Sequence, residues 1–254
     1  MARPASQRAL ADDALGEKIA QIYSQSRCTY GAPRVHAELE RSGLRCGRKR
    51  VARLMRRGGL VGVHARRKWR KAKPGDAVAP DLVNRDFNPI GPDQVWAADV
   101  TQFRTAEGWL YLAAVLDLWS RRVLGWSMGT SATAELVSDA LVMAATRRRP
   151  KHRVVHHSDH GAAYTSLLFS QRVAELELDQ SFGTTGDCYD NAAVESFFAT
   201  LKRELAWAYG TERWATRADL RLALFDYIEG FYNSQRTQSR LGYRSPIDFE
   251  EAVA

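Results

Sequence analysis

The sequence predicts an α/β protein, a mixed five-stranded sheet with flanking helices, preceded by a small all-helical module of the helix-turn-helix type. Three observations predict it. Apolar residues recur at helical spacing through residues 1–64, and apolar strands alternate with helical segments from Asp93 onward. Between them, positive charge is concentrated in one stretch. Arg41 to Lys73 holds 14 of the 37 Lys and Arg residues and no Asp or Glu, leaving 23 basic against 29 acidic residues elsewhere. The net charge of +8 therefore belongs to about one eighth of the 254 residues.

The first helix is expected from Asp12 to Ser24, with Leu15, Ile19, Ile22 and Tyr23 on one face. A second starts near Pro33, whose missing N–H costs little at a helix start; it buries Val35 and Leu39 and ends at Ser42-Gly43. The third runs from Arg48 to Arg57. Its Val51, Leu54 and Met55 turn inward while Arg48, Lys49, Arg53, Arg56 and Arg57 turn outward. A basic run interleaved with apolar residues reads as a folded face for DNA rather than a solvated tail. Ala65 to Pro92 has the composition of a linker, with a basic run followed by PGD, NP and GP breakers. The expected domains are thus 1–64, a basic linker 65–92, and an α/β portion 93–254 with a helical C-terminal extension.

QVWAADVTQF alternates as a strand, GWLYLAAVLDLWS is more continuously apolar, and RRVLGWSMG follows a turn at Ser120-Arg121, which together predict an antiparallel meander. Trp96, Trp109, Trp119 and Trp126 are expected in the core, and Asp117 in the turn. A helix over Thr133–Arg149, a strand in RVVHHSD, a helix over Ser166–Leu176 and a strand in LDQSFG complete the layer. The stretch GDCYDNAAVESFFATLKREL then opens a helix at Asp190, an N-cap, and buries Val194, Phe197, Phe198 and Leu201. Glu195 and Lys202, seven residues apart, share one edge of it. Thr216 and Asp219 form a capping box for a last helix through Leu220, Leu224, Tyr227 and Ile228, with Asn233 and Arg236 beyond.

Composition excludes several classes. At 45% hydrophobic and 26% charged residues the chain is able to build a sizeable core. It has no apolar run of the ~18 residues a membrane span needs, and its first residues lack the apolar segment of a signal peptide. Cys28, Cys46 and Cys188 form no CxxC pair, which argues against a zinc ribbon or disulfide framework and suits a cytoplasmic protein.

Three carboxylates stand out: Asp99 inside the first strand, Asp159 at the end of the fourth, and Glu195 on the helix after the fifth. Asp is disfavoured in mid-strand, so Asp99 needs a reason. Converging carboxylates repel unless a cation neutralises them, and hard oxygen ligands without Cys point to Mg²⁺ or Mn²⁺. Two such ions would activate an attacking hydroxyl or water and stabilise the leaving oxygen of a phosphodiester, with Lys202 holding DNA beside them. A zinc cluster of His156, His157, Asp159 and His160 competes poorly, because adjacent strand residues face opposite ways.

These residues carry a resemblance. Thirty-five residues separate Asp159 from Glu195, and the pattern resembles the D,D-35-E core of retroviral integrases and bacterial transposases. The phrases VWAADVTQF, HHSDHGAAYTS, GDCYDNAAVESFFATLKREL, YIEGFYNSQR and LGYRSPIDFE are more closely similar to OrfB-type transposases of the insertion-sequence-three family, and YGAPRVHAEL and RVARLMRRGGL extend the resemblance over nearly the whole chain. It implies an RNase H-like fold with Asp99, Asp159 and Glu195 as catalytic metal ligands, Lys202 at a DNA end, and support roles for His157, Ser158, Tyr189, Asp190 and Asn191. It implies cleavage at insertion-sequence ends and strand transfer of the freed 3′-hydroxyl. DNA (terminal repeats and target), further copies of the chain and an upstream-frame protein are the expected partners. Where relatives carry Ser-Met-Ser-Arg before the glycine, FGTTGDCYDN has no basic residue. A non-catalytic DNA-binding regulator and a structure-selective nuclease of the same fold are the alternatives.

Overall fold

The computed structural model describes residues 6–64, 89–183 and 192–253. In the N-terminal part, α1 (Gln7–Gln25), α2 (Ala32–Arg41) and α3 (Arg48–Arg57) pack around Ile19, Val35, Leu39, Val51, Leu54 and Met55. α1 starts ahead of its apolar stripe because the Ser6 hydroxyl accepts from the Ala9 amide and caps it. Pro33 sits in the first turn of α2, as its chemistry requires.

The central sheet has the order β3-β2-β1-β4-β5. β1 (Val95–Thr105), β2 (Gly108–Asp117) and β3 (Val123–Gly129) form the antiparallel meander, and β4 (Val155–Ser158) and β5 (Asp179–Phe182) add to the β1 edge in parallel. The parallel pairs are connected through α4 (Ala134–Arg148) and α5 (Leu167–Glu175). Period-two alternation divides the sheet into two faces. Trp96, Ala98, Ala113 and Val115 pack with α4 and α5, while Ala97, Phe103, Leu112 and Leu116 pack with α6 (Ala192–Tyr209). α4 lies so close to β3 that any side chain at Gly125 would collide with the Ala140 carbonyl.

The C-terminal extension differs from one continuous α-helix. α7 (Arg217–Phe225) is capped by Thr216, whose Oγ1 accepts from the Asp219 amide at 3.0 Å and donates to its carboxylate at 2.6 Å. It then widens into a π-helix over Asp226–Tyr232, whose Tyr227, Ile228, Phe231 and Tyr232 are all buried. α8 (Pro246–Glu251) ends the fold.

The helical module is docked on this extension and on the end of α6. Arg27 pairs with Asp226 at 2.6 Å, the Tyr30 hydroxyl accepts from the Thr237 amide at 2.6 Å, and the Trp207 indole donates to the Cys28 carbonyl at 2.8 Å. Of the four tryptophans expected in the core, Trp96 is fully buried and Trp119 and Trp126 are half-buried. Trp109 is instead 40% exposed, because it sits beside the β1–β2 turn with the Arg104 guanidinium 5.6 Å from its ring centroid. Among the described residues no helix is long and apolar enough to cross a membrane.

Candidate active site

Asp99 belongs to the sheet face that meets α6, because it shares parity with Ala97 and Phe103 on β1. Its Oδ1 accepts from the Val100 amide at 2.7 Å. Burial raises its pKa, and the charges of Asp159 and Glu195 add to the rise; the Val100 hydrogen bond and the Lys202 charge oppose it, and the value reaches about 7. The two other acids therefore act on Asp99 from β4 and α6.

Asp159 follows the end of β4 and is exposed, its Oδ1 accepting from the Gly161 amide at 3.0 Å. The preceding Ser158 hydroxyl donates to the Asp159 carbonyl at 3.2 Å. Glu195 lies exposed in the first turn of α6, where a negative charge favours the helix. Two turns further along, the Lys202 ammonium stands 5.2 Å from the Phe103 ring centroid. Its partial desolvation lowers its pKa while Asp99 pulls it back up.

His157 is buried on the same face as Ala97, its register partner, with Nδ1 3.1 Å from the Ser181 hydroxyl. His156 points the other way, against Tyr164 and Phe169, and burial lowers its pKa to about 3. A neutral imidazole on the opposite face removes the zinc reading. Among the described residues no three His, Cys, Asp or Glu side chains stand gathered at metal-holding spacing. The donor set nonetheless fits a hard divalent cation: it is all carboxylate, and the repulsion felt at Asp99 is what such a cation relieves. Tyr189, Asp190 with its expected cap, Asn191 and the departure at Thr184–Gly186 lie outside the described residues.

The basic face of α3 divides. Arg50 and Arg53 each reach Asp12 of α1 at 2.7 Å, and Arg57 reaches Asp13 at 2.7 Å. The hydrogen bonds from Arg53 and Arg50 hold the Asp12 carboxyl down at about 2. Arg53 and Arg57 are therefore committed to tying α3 to α1, and Arg48, Lys49 and Arg56 remain exposed and unpaired among the described residues.

Sequence reasoning missed two features. Tyr164 is buried, and besides its burial the charges of Asp99 and Asp159 raise its phenol well above the ordinary range. Glu204, two positions past Lys202, is buried and bound by Arg236 at 2.8 Å through both nitrogens and by the Tyr227 hydroxyl at 2.7 Å. The only signal was the i, i+9 spacing of Glu204 from Glu195 on one helix. Asn233 braces β3, its side chain exchanging two hydrogen bonds of 2.9 Å with the Val123 backbone.

Comparison with known proteins agrees with this architecture. Residues 10–68 match an HTH-like domain, and residues 90–188 and 195–253 match integrase core domain models. The chain is 43% identical over 231 residues to the transposase InsF for insertion sequence IS3A of Escherichia coli, covering 90% of this chain and 79% of that protein. It is 36% identical over 253 residues to the transposase for insertion sequence element IS904 of Lactococcus lactis, covering 99% of each. In fold it is similar to a chain of a simian T-cell lymphotropic virus intasome solved with PP2A regulatory subunit B56 gamma, with a TM-score of 0.53 and 17% identity over 91% of this chain and 74% of that one. A helix-turn-helix-like module followed by an integrase core implies a DNA-binding, DNA-transposing enzyme, and the chain belongs to the IS3 family of transposases.

Proposed function

We propose that this transposase cleaves DNA at the ends of its insertion sequence and joins the freed 3′-hydroxyl to target DNA, with Asp99, Asp159 and Glu195 as its catalytic carboxylates. The observation that supports the proposal is the place of Asp99, a carboxylate half-buried on the β1 face that meets α6, whose pKa is raised first by burial and then by the charges of Asp159 and Glu195. Mg²⁺ or Mn²⁺ held by these three residues would supply the positive charge that activates the attacking oxygen and stabilises the leaving one. Lys202, at the edge of the same site, would hold a phosphate of the DNA end. His157 and Ser158 act as positioning residues, since they fix β4 where it delivers Asp159. In strand transfer the 3′-oxygen forms a bond to a target phosphorus as the target's own 3′-oxygen leaves, so no covalent enzyme intermediate is needed. Arg48, Lys49 and Arg56 on α3 are the DNA contacts of the helical module, and residues 1–64 and 93–254 are its functional halves. The chain works as a multimer on paired DNA ends.

The test is a pre-cleaved, labelled duplex of the element's end incubated with a target plasmid and Mn²⁺. Wild type is expected to give joined product, and Glu195→Gln or Asp159→Asn to bind the duplex without joining it. Wild-type-like joining by either variant overturns the assignment. Cleavage without joining in wild type would identify a nuclease.

A further inference from the structure

A cleft of about 440 Å³ lies against a different side of α6 from the one that carries Glu195 and Lys202. Ser196 and Thr200 of α6 line it, together with Arg34 of α2, Arg121 after β2, and Arg236 and Arg240 of the C-terminal extension. Three parts of the chain that are far apart in sequence thus aim guanidinium groups into one space. Glu204, behind the cleft, is already bound by Arg236 at 2.8 Å and lies 4.0 Å from Arg34. Among the described residues that line the cleft there are four arginines and no carboxylate.

Arg121 is the least compensated of the four. Its backbone is held in the left-handed region, φ 61°, in a turn closed by its own amide to the Asp117 carbonyl at 2.8 Å. The Asp117 carboxylate does not reach its guanidinium, because it accepts from the Ser120 amide and hydroxyl at 2.8 Å and the Asp93 amide at 3.1 Å. The Tyr232 hydroxyl donates to the Arg121 carbonyl at 3.1 Å and locks the turn from the other side. The Arg121 Nε is buried without a hydrogen-bond partner among the described residues. Burial and the Arg240 charge lower its pKa, and the charges of Tyr232 and Asp117 offset only part of that. The left-handed turn and these hydrogen bonds leave the Arg121 Nε buried and without a partner beside the cleft.

We infer that this cleft binds a backbone phosphate of the DNA, gripped by Arg121 and Arg240 with Arg34 and the α6 hydroxyls beside them. The inference rests on the DNA-joining reading above and deepens it. Ser196 adjoins Glu195, so DNA leaving the catalytic edge of α6 meets this cleft next. Arg34 belongs to the helical module, so a phosphate bound here touches module and core together. Guanidinium forks match phosphate oxygens bidentately, and such contacts are indifferent to base sequence.

Binding of a fluorescein-labelled duplex of arbitrary sequence to the full chain tests this by anisotropy across a salt series. Arg121→Gln and Arg240→Gln are each expected to weaken binding about tenfold and to reduce the slope of log affinity against log salt by about one. Arg172→Gln, which removes one charge from α5 where it pairs with Glu175, is the control and should bind like wild type. Unchanged affinity and slope in both cleft variants overturn the inference, as does an equal loss in the control. Should Arg121→Gln fail to fold, the exposed Arg240 decides alone. Stabilisation of wild type by inorganic phosphate, lost in the variants while duplex affinity stays unchanged, would assign the cleft to a free anion and overturn the DNA assignment. Wild type that joins DNA while both variants bind normally sinks only the cleft; wild type that binds no duplex sinks the transposition reading with it.

Discussion

Replacing Arg236 by Met strands the Glu204 carboxylate inside the protein, and the cost follows from its surroundings. The two side chains are 7% and 4% exposed, and the carboxylate accepts two bonds of 2.8 Å from the guanidinium and one of 2.7 Å from Tyr227. Burial by itself pushes the Glu204 pKa up, but the Arg236 charge and these hydrogen bonds hold it below the ordinary 4.5. Removing one partner of a buried pair typically costs about 3–5 kcal/mol. For a chain of this size that corresponds to a fall in Tm of roughly 10 °C, measured by calorimetry at pH 7. A folded-state pKa below the ordinary value means the pair's stabilisation is present above pH 4.5 and lost as pH falls through the folded value. The gap between wild type and Arg236→Met should therefore narrow in acid. The double variant Glu204→Met/Arg236→Met should recover part of the loss, since it leaves no buried charge behind. Glu204 shares α6 with Glu195 and Lys202, so strand transfer should fall in the single variant as well. A fall in Tm under about 2 °C, or strictly additive single and double effects, would refute the reasoning.

Three further outcomes are expected. With divalent ions chelated, Asp99 titrates near pH 7 rather than 3.8, so its contribution to stability is full below pH 3.8 and disappears as pH rises through about 7. The difference in unfolding free energy between wild type and Asp99→Asn should change by no more than about 4 kcal/mol across that window, and parallel stability curves would contradict the burial of Asp99 beside the two other acids. At Gly161, an added Cβ would stand 2.9 Å from the Asp159 Oδ1, so Gly161→Ala should displace the carboxylate. Joining should drop about 100-fold with Tm almost unchanged, and normal joining would show that Asp159 needs no such placement. Finally, Asp12→Asn removes the acid that occupies Arg50 and Arg53, so non-specific duplex affinity should rise and its salt dependence steepen; weaker binding would mean those arginines need Asp12 to be presented.

The elements legible in the sequence are those whose signal is local. α3 matches its expected bounds because Gly47 and Gly58 flank a strongly amphipathic run. Thr133, Ser166 and Thr216 cap their helices through their own hydroxyls, and β1 to β3 alternate in a way that only a half-buried sheet requires. Glu195 and Lys202 needed nothing beyond helical period to be placed on one edge. Local signals failed where a distant partner decides. The π-helix after Phe225 is invisible to periodicity, since Tyr227, Ile228, Phe231 and Tyr232 suit an α-helix equally well. Trp109 carries the same hydrophobicity as Trp96 and is exposed only because the β1–β2 hairpin ends there. Arg53 and Arg57 read as free cations until α1 supplies Asp12 and Asp13.

By itself, then, the sequence determined the class of the fold, the family and the concentration of charge, and it nominated the three carboxylates, because periodicity, caps, composition and motif spacing are written in neighbouring residues. Only the tertiary structure decided which faces meet. The strand order β3-β2-β1-β4-β5 brings β4 beside β1 and so sets Asp159 near Asp99. The burial of Glu204 with Arg236 separates a structural charge from the exposed Glu195 on the same helix. The meeting of Arg34, Arg121 and Arg240 around one cleft depends on chain segments brought together by packing. Charge and hydrogen bonding act through space, so their partners are fixed only when the core has closed.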